Sequence, residues 1–244
     1  MQLSTSLTLP TFTLLDPEDF PYQELGWQEA EEQLLDWCIN DKRAYCLIHS
    51  GEKGVVVPHG YQQRFANFQQ VQADLLAQDN FKVFTRTSGG GVVPATPEVI
   101  NLHLVYLVET EHPLNVAHAQ YELLCKLIAD FLAGYGIEAN AQAVEGSFCD
   151  GKYNLAVQGK KIVGTAQKWQ KAGENLYAVL SHALLLVGDS AYLTALTNQF
   201  EEALGTETRY LVEKTTTVNE WVDRSAEEIY EDFVEFVETQ YCEV

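Results

Sequence analysis

A lone cysteine, Cys149, stands among Gly, Ser and Asp just upstream of a lysine-rich run that includes Lys161, in "GSFCDGKYNLAVQGKKIVGTAQKW", residues 146–169. Taken alone, the thiol is more often a packing residue, and a lysine beside a hairpin turn is more often simply solvated. The whole chain of 244 residues is acidic, with 35 Asp and Glu against 15 Lys and Arg and a formal net charge of -20. Yet from Lys152 to Lys171 there are lysines at 152, 160, 161, 168 and 171 and no acid at all. A thiol in an apolar core is an inert packing group, whereas one in an exposed, electropositive turn is held toward thiolate. Gly146, Ser147, Asp150 and Gly151 supply such a turn around Cys149. Two readings stay open from these residues: a hairpin with solvated lysines, or a site for a carboxylate, a phosphate, an acidic partner or a developing oxyanion.

A second stretch, "RTSGGG" at residues 86–91, ends in three consecutive glycines. Glycines admit positive φ and bring backbone amides close to a ligand's oxygens, although turn statistics alone favour an ordinary hairpin connection. The run is neither a Rossmann fingerprint nor a P-loop, since it lacks both spacings. His182, inside the apolar "LSHALLL", reads as a hydrogen-bonded core histidine rather than a catalytic base.

Composition removes several classes. The cysteines at 38, 46, 125, 149 and 242 are odd in number and scattered, with no C-x-x-C pair, so neither a disulfide framework nor a metal site is expected. Cys46 and Cys125 read as small buried hydrophobes. A short lysine-rich stretch on an acidic chain is no nucleic-acid footprint. The runs "LHLVYLV" and "YAVLSHALLLVG" fall short of the roughly 18 to 20 residues a membrane helix needs. The first 41 residues contain no Lys or Arg, which fits neither a secretory leader nor a transit peptide; a cytoplasmic protein is the expectation.

Helices are predicted over 24–40, with Leu25, Leu34, Leu35 and Trp37 on one side, over 65–78, over 116–132, near 190–204 and over 226–239. Ser225 and Glu228 form a capping box for the last, and Gly134 or Gly136 stops the third. "AYCLIHS" and "GVVV" around "GEKG" predict a hairpin, followed by strands at "KVFT", "VV" and "VINLHLVYLVE". "AQAVE", "YNLAV", "KKIVGTAQ" and "LYAVLSHALLLV" are four further strands, the middle pair joined by a two-residue turn at "QGK". Helices set between antiparallel strands predict an α+β fold with a mixed, largely antiparallel sheet split into a large and a small part. One domain over 1–244 is expected, with its core at about 24–205 and a carboxy-terminal helix at 225–240.

Taken in order, these stretches resemble the lipoate-protein ligase, biotin ligase and octanoyltransferase superfamily. "RTSGGG" is similar to its R-x-S-G-G-G substrate loop, "YNLAVQGKKIVGTAQ" to its segment ending K-I-x-G-x-A-Q, and "SHALLLVGD" to its H-G-x-L-L-x-x-D. "SFCDGKYNL" resembles the cysteine loop of the octanoyltransferases and lipoyl amidotransferases, nearest the octanoyl-[GcvH]:protein N-octanoyltransferases. The resemblance implies Cys149 as the nucleophile and Lys161 as the essential lysine that holds the carbonyl oxygen or assists proton transfer. It places Arg86, Ser88, Gly89, Gly90, Gly91, Asn154, Gly164 and His182 at the substrate.

That resemblance implies an acyltransferase moving an octanoyl or lipoyl group through a Cys149 thioester to a lysine of the lipoyl domains of 2-oxoacid dehydrogenases. The donor would be the glycine cleavage H protein or an acyl carrier protein, and no cofactor would be required. The alternatives are an ATP- and Mg-dependent lipoate-protein ligase, with Lys161 on the acyl-adenylate, and a non-catalytic binder of acyl groups or carrier proteins. "VVPATP" after the glycines, and Lys152, Tyr153 and Asn154 where ligases have Arg-Asn-Asp, weigh against adenylate chemistry.

Overall fold

The computed structural model describes residues 8–18 and 22–243. Along the chain run β1 (Thr13–Leu15), α1 (Tyr22–Asp41), β2 (Tyr45–Ser50), β3 (Gly54–Pro58), α2 (Gly60–Arg64), α3 (Phe68–Asp79), β4 (Lys82–Arg86), β5 (Val93–Ala95) and β6 (Val99–Glu109). There follow α4 (Ala117–Gly134), β7 (Asn140–Ala141), β8 (Leu155–Val157), β9 (Lys160–Gly173), β10 (Leu176–Leu186), α5 (Ser190–Leu204) and α6 (Ala226–Tyr241). The strands make a seven-stranded sheet in the order β1-β2-β6-β10-β9-β8-β7 and a three-stranded sheet in the order β4-β3-β5. Only β1/β2 and β3/β4 are parallel, so the α+β expectation with a large and a small sheet holds.

Each apolar face finds a cover. The residues of β2, β6 and β10 on one side, such as Ile48, Leu102, Leu104 and Val179, pack with Leu124, Ile128 and Phe131 of α4 and with Ile229 and Phe233 of α6. On the other side Leu47, Val105, Ala178 and Leu180 meet Ala30, Leu34, Leu35 and Cys38 of α1. Farther along that same side, Val99, Leu184 and Leu186 pack against Val56, Val93 and Ala95 of the small sheet, with Phe148 and Trp27 between. The far face of the small sheet is closed by α3 and α5 through Val55, Val57, Phe68, Val71, Leu196 and Phe200. Burying a large aliphatic or aromatic side chain contributes about 1.5–3 kcal/mol. These layers therefore fix the strands that carry the site.

Three expectations are corrected. "AYCLIHS" and "GVVV" are strands but not a hairpin: β2 already has β1 on one edge and β6 on the other, so β3 crosses into the second sheet. A side chain at Gly54 would lie 1.8 Å from the Lys82 carbonyl oxygen, which shows how closely β3 and β4 pass there. The glycine run is not a hairpin connection either, because β4 and β5 lie on opposite sides of β3. Of "AQAVE", residues 141–145, only Ala141 lies in a strand, at the end of β7; beyond it the Val144 carbonyl accepts both the N–H and the hydroxyl of Ser147, bending the chain into the cysteine turn.

Other local readings stand. Gln158 (φ 50) and Gly159 (φ 78) make the two-residue turn between β8 and β9, the positive φ values that match hairpin twist. Ser225 and Glu228 exchange both hydrogen bonds of the capping box. The predicted place of Leu25 on the apolar side of α1, and any leader in residues 1–7, lie outside the described residues and side chains. No helix among the described residues is long and apolar enough to cross a membrane.

Candidate active site

Cys149 sits in the turn that precedes β8, half-buried, with φ 50 in the left-handed region. A non-glycine residue in that region is held by its surroundings. Here the holding groups are visible. The Cys149 carbonyl accepts from Gly151 N–H at 2.9 Å, from Asn154 Nδ2 at 2.7 Å and from Lys161 Nζ at 3.0 Å. Lys161 also donates to the Phe148 carbonyl at 2.6 Å and lies 4.8 Å from the Phe148 ring centre.

Lys161 is fully buried. Register slips between β8 and β9 at Leu155/Ala156, a bulge of the kind that re-aims a side chain, and Lys161 stands opposite Ala156. Its own carbonyl is bonded by Thr216 N–H, so the segment before α6 braces it from behind. Gly164 makes room for it: a Cβ there would stand 3.2 Å from Nζ and 3.3 Å from Leu184. Burial brings the Lys161 ammonium down to about 8, while the negative charges of Cys149 and Asp150 oppose the drop. The two basic readings of the stretch thus separate. Lys161 is a buried turn-holding cation, Lys152 and Lys171 are exposed, and Lys168 lies 3.9 Å from Glu32.

The sulfur faces the glycine run. Gly91 N–H donates to Cys149 Sγ at 3.2 Å, and a Cβ at Gly90 (φ +111) would lie 2.6 Å from that sulfur and 3.1 Å from Arg86 Nη2. Only glycine fits at 90. Arg86, buried at the end of β4, donates to the carbonyls of Val56 at 3.0 Å, Gly89 at 3.2 Å and Gly91 at 2.7 Å. Burial works against its charge, and the negative charges of Cys149 and Glu31 favour it. Ser88 is buried and its hydroxyl has no partner among the described residues.

Over the sulfur opens a cleft of about 640 Å³ whose walls include Gly89–91, Tyr121, Ser147, Cys149, Gln167, Arg209 and Tyr210. A groove of equal volume, at Leu14, Arg43, Tyr230 and Val234, contains no residue of the cysteine turn. Of the residues named from sequence, Cys149 and Gly89–91 line the cleft; Arg86, Asn154, Lys161 and Gly164 lie beneath and shape it.

His182 is not among the residues that line the cleft, although the Arg86 charge reaches its ring. It is buried on β10, stacked on His103 of β6 with ring centres 4.3 Å apart and 3.4 Å from Asn101 Oδ1, as a core histidine should be. Burial holds His103 and His182 well below the usual imidazole range and His49 at about 4, so all three are neutral near pH 7. Glu31, His103 and His182 bring ligand atoms within 4.8 Å of one another. The parallel rings, 4° apart, aim their in-plane lone pairs along parallel planes and not at one point.

Two parts of the site escaped the sequence. Tyr210 and Arg209 come from the segment after α5, which carries no motif. Glu31 was hidden among the acids of "EAEEQ", although it stands four residues from both Trp27 and Leu35, on the apolar stripe of α1.

Residues 27–237 match the model of the lipoyl protein ligase A/B catalytic domain, and the chain belongs to that family. It is 39% identical over 216 residues to an uncharacterised protein of Cupriavidus necator, the match covering 84% of each chain. An octanoyl-[GcvH]:protein N-octanoyltransferase of Geobacillus kaustophilus is 35% identical over 98 residues, which are 40% of this chain and 34% of that protein. In fold the chain is similar to a lipoate-protein ligase A bound with ATP, at a TM-score of 0.65 and 16% identity over 96% of this chain and 85% of the other.

Proposed function

We propose that the protein is a lipoylation enzyme that transfers an octanoyl or lipoyl group through a Cys149 thioester. The observation that carries this reading is the sulfur itself, held at the mouth of a cleft by the Gly91 amide. In the first step the thiolate attacks the carbonyl carbon of an acyl group carried as an amide. A C–S bond forms, the C–N bond breaks, and the departing lysine amine takes up a proton. In the second step the neutral amine of a lipoyl-domain lysine attacks the thioester, a C–N bond forms, the C–S bond breaks with the sulfur leaving as thiolate, and the amine gives up one proton, replacing the one consumed in the first step. Since an amide is exchanged for an amide, no ATP and no metal are needed.

The Gly91 N–H that holds the sulfur would be released as the sulfur is acylated and would then be free to donate to the carbonyl oxygen as it gathers charge; losing one such donor costs about 10²–10³-fold in rate. Lys161 supports the step from behind: its bonds to the Phe148 and Cys149 carbonyls fix the turn, and its charge lies close enough to interact with that of Cys149. Relatives named octanoyl-[GcvH]:protein and lipoyl-[GcvH]:protein transferases support the H protein of glycine cleavage as donor and a second protein as acceptor, which in our reading is a lipoyl domain.

Incubation with an octanoylated H protein, or with lipoate and Mg-ATP, followed by intact mass of enzyme and acceptor, tests the reading. A hydroxylamine-sensitive adduct and ATP-independent transfer are expected. A product that forms only with ATP assigns a ligase, and binding without turnover assigns a carrier-protein binder.

A further inference from the structure

Bonded to the segment that carries the glycine run, and not among the residues that line the cleft, is a carboxyl group that the acyl-transfer steps do not use. Glu31 of α1 is 1% exposed, and its Oε2 accepts from both Thr87 N–H at 3.1 Å and Thr87 Oγ1 at 2.8 Å. Thr87 is the residue between Arg86, whose guanidinium binds the Gly89 and Gly91 carbonyls, and Ser88. From Gly91 the next contact is Cys149 Sγ. Glu31 and the sulfur are therefore the two ends of one connected set of bonds, all made by the segment 86–91. The other carboxyl oxygen has no hydrogen-bond partner among the described residues and faces His103 Nε2 at 4.0 Å.

A buried carboxyl group left half-satisfied costs stability, and replacing it with an apolar residue is often neutral or better. Its bonds to Thr87 give it a use other than packing. We propose that Glu31 is a positioning residue for the nucleophile: anchoring Thr87, it keeps the Arg86–Gly91 run where the Gly91 N–H points at Cys149 sulfur, and so sets the reactivity of that thiol. The charged and titratable groups around the sulfur, which any pH profile will report together, are Arg86 from β4, Lys161 from β9, Asp150 of the turn, Tyr121 from α4, and Arg209 and Tyr210 from the segment after α5. Those around the Glu31 carboxyl are Arg86, His103, His182 and Lys168.

The inference rests on Cys149 as the nucleophile, but its test needs no acyl transfer. Iodoacetamide alkylation of the peptide containing Cys149 is followed against pH in wild type, Glu31→Ala, Glu31→Gln and Thr87→Val, with a thermal melt of each. In Glu31→Ala the neutral-pH rate is expected to fall roughly threefold to tenfold, the range commanded by one hydrogen bond, with the midpoint of the profile moved to higher pH. Glu31→Gln keeps an oxygen for Thr87 and should stay within about twofold of wild type. Thr87→Val removes one donor only, and its profile should move in the same direction by less; it decides the matter if Glu31→Ala does not fold. Wild-type profiles in the folded Ala and Val variants, or a lowered melting temperature with no change of profile, overturn the proposal. A moved profile in a protein that transfers no acyl group keeps the positioning role and removes the transferase reading.

Discussion

The backbone N–H of Gly91 lies 3.2 Å from the sulfur of Cys149, across 58 residues of sequence. Two turns of unusual backbone make the contact: Gly90 at φ 111 on one side and Cys149 at φ 50 on the other. Glycine adopts its value without strain, and the Cys149 backbone is held by the Gly151, Asn154 and Lys161 bonds to its carbonyl.

Gly90→Ala tests that contact. Its Cβ would overlap the sulfur and crowd Arg86, and the strained backbone would cost about 1–3 kcal/mol. We expect a folded but less stable protein in which Cys149 alkylation and acyl transfer both fall. Unchanged alkylation in this variant would show that the glycine run does not govern the thiol.

The buried lysine makes a pH prediction. Its folded value of about 8 is below the ordinary 10.5, so between those limits the unfolded chain binds more protons and stability rises with pH. Urea unfolding of wild type and Lys161→Met should show wild type gaining on the variant between pH 7 and pH 10, by up to about 3 kcal/mol. The loss of the bonds to the Phe148 and Cys149 carbonyls is independent of pH and cancels in that comparison. Parallel curves would mean that the lysine is not held below its usual range.

The histidine layer predicts the opposite end of the scale. His49 is held at about 4 against an ordinary 6.5, so its neutral burial stabilises above 6.5 and is lost as pH falls toward 4, about 2 kcal/mol of it by pH 5. His103 and His182 act in the same direction, while Glu31, held above the usual carboxylate range by burial, gains stability as pH falls. His49→Asn should therefore lose less stability than wild type between pH 7 and pH 5. An equal loss in both proteins would assign the acid sensitivity to other groups.

How much of this was legible depended on whether neighbours in sequence were neighbours in space. The turn at Gln158 and Gly159, the capping box at Ser225 and the long strands of β6 and β10 are local patterns, and they were read correctly. The hairpin at "GEKG" failed because strand propensity says nothing of which edge is free. Cys149 and the glycines were visible as types, but the contact between them follows only from packing the small sheet on the large one. Lys161 was visible as a charge and not as a buried one, because a bulge turns it inward.

Among the lysines of the acid-free stretch, Lys152 and Lys171 are exposed and make no ion pair among the described residues. Exposed charges at a rim act mainly on the rate of encounter with an acidic carrier domain. Lys152→Glu with Lys171→Glu should slow transfer at low salt and matter less at high salt. A rate unchanged at low ionic strength would leave them as solvated residues.

The central claim is that the acyl group passes through Cys149. Mixing enzyme with an octanoylated H protein in the absence of acceptor, quenching in acid and mapping the mass-shifted peptide tests it most directly. The expected result is an octanoyl thioester on the peptide containing Cys149, discharged by hydroxylamine and by added lipoyl domain, and absent from Cys149→Ser, which should fold yet transfer orders of magnitude more slowly. Transfer near the wild-type rate in Cys149→Ser, with no acylated peptide, would contradict the account.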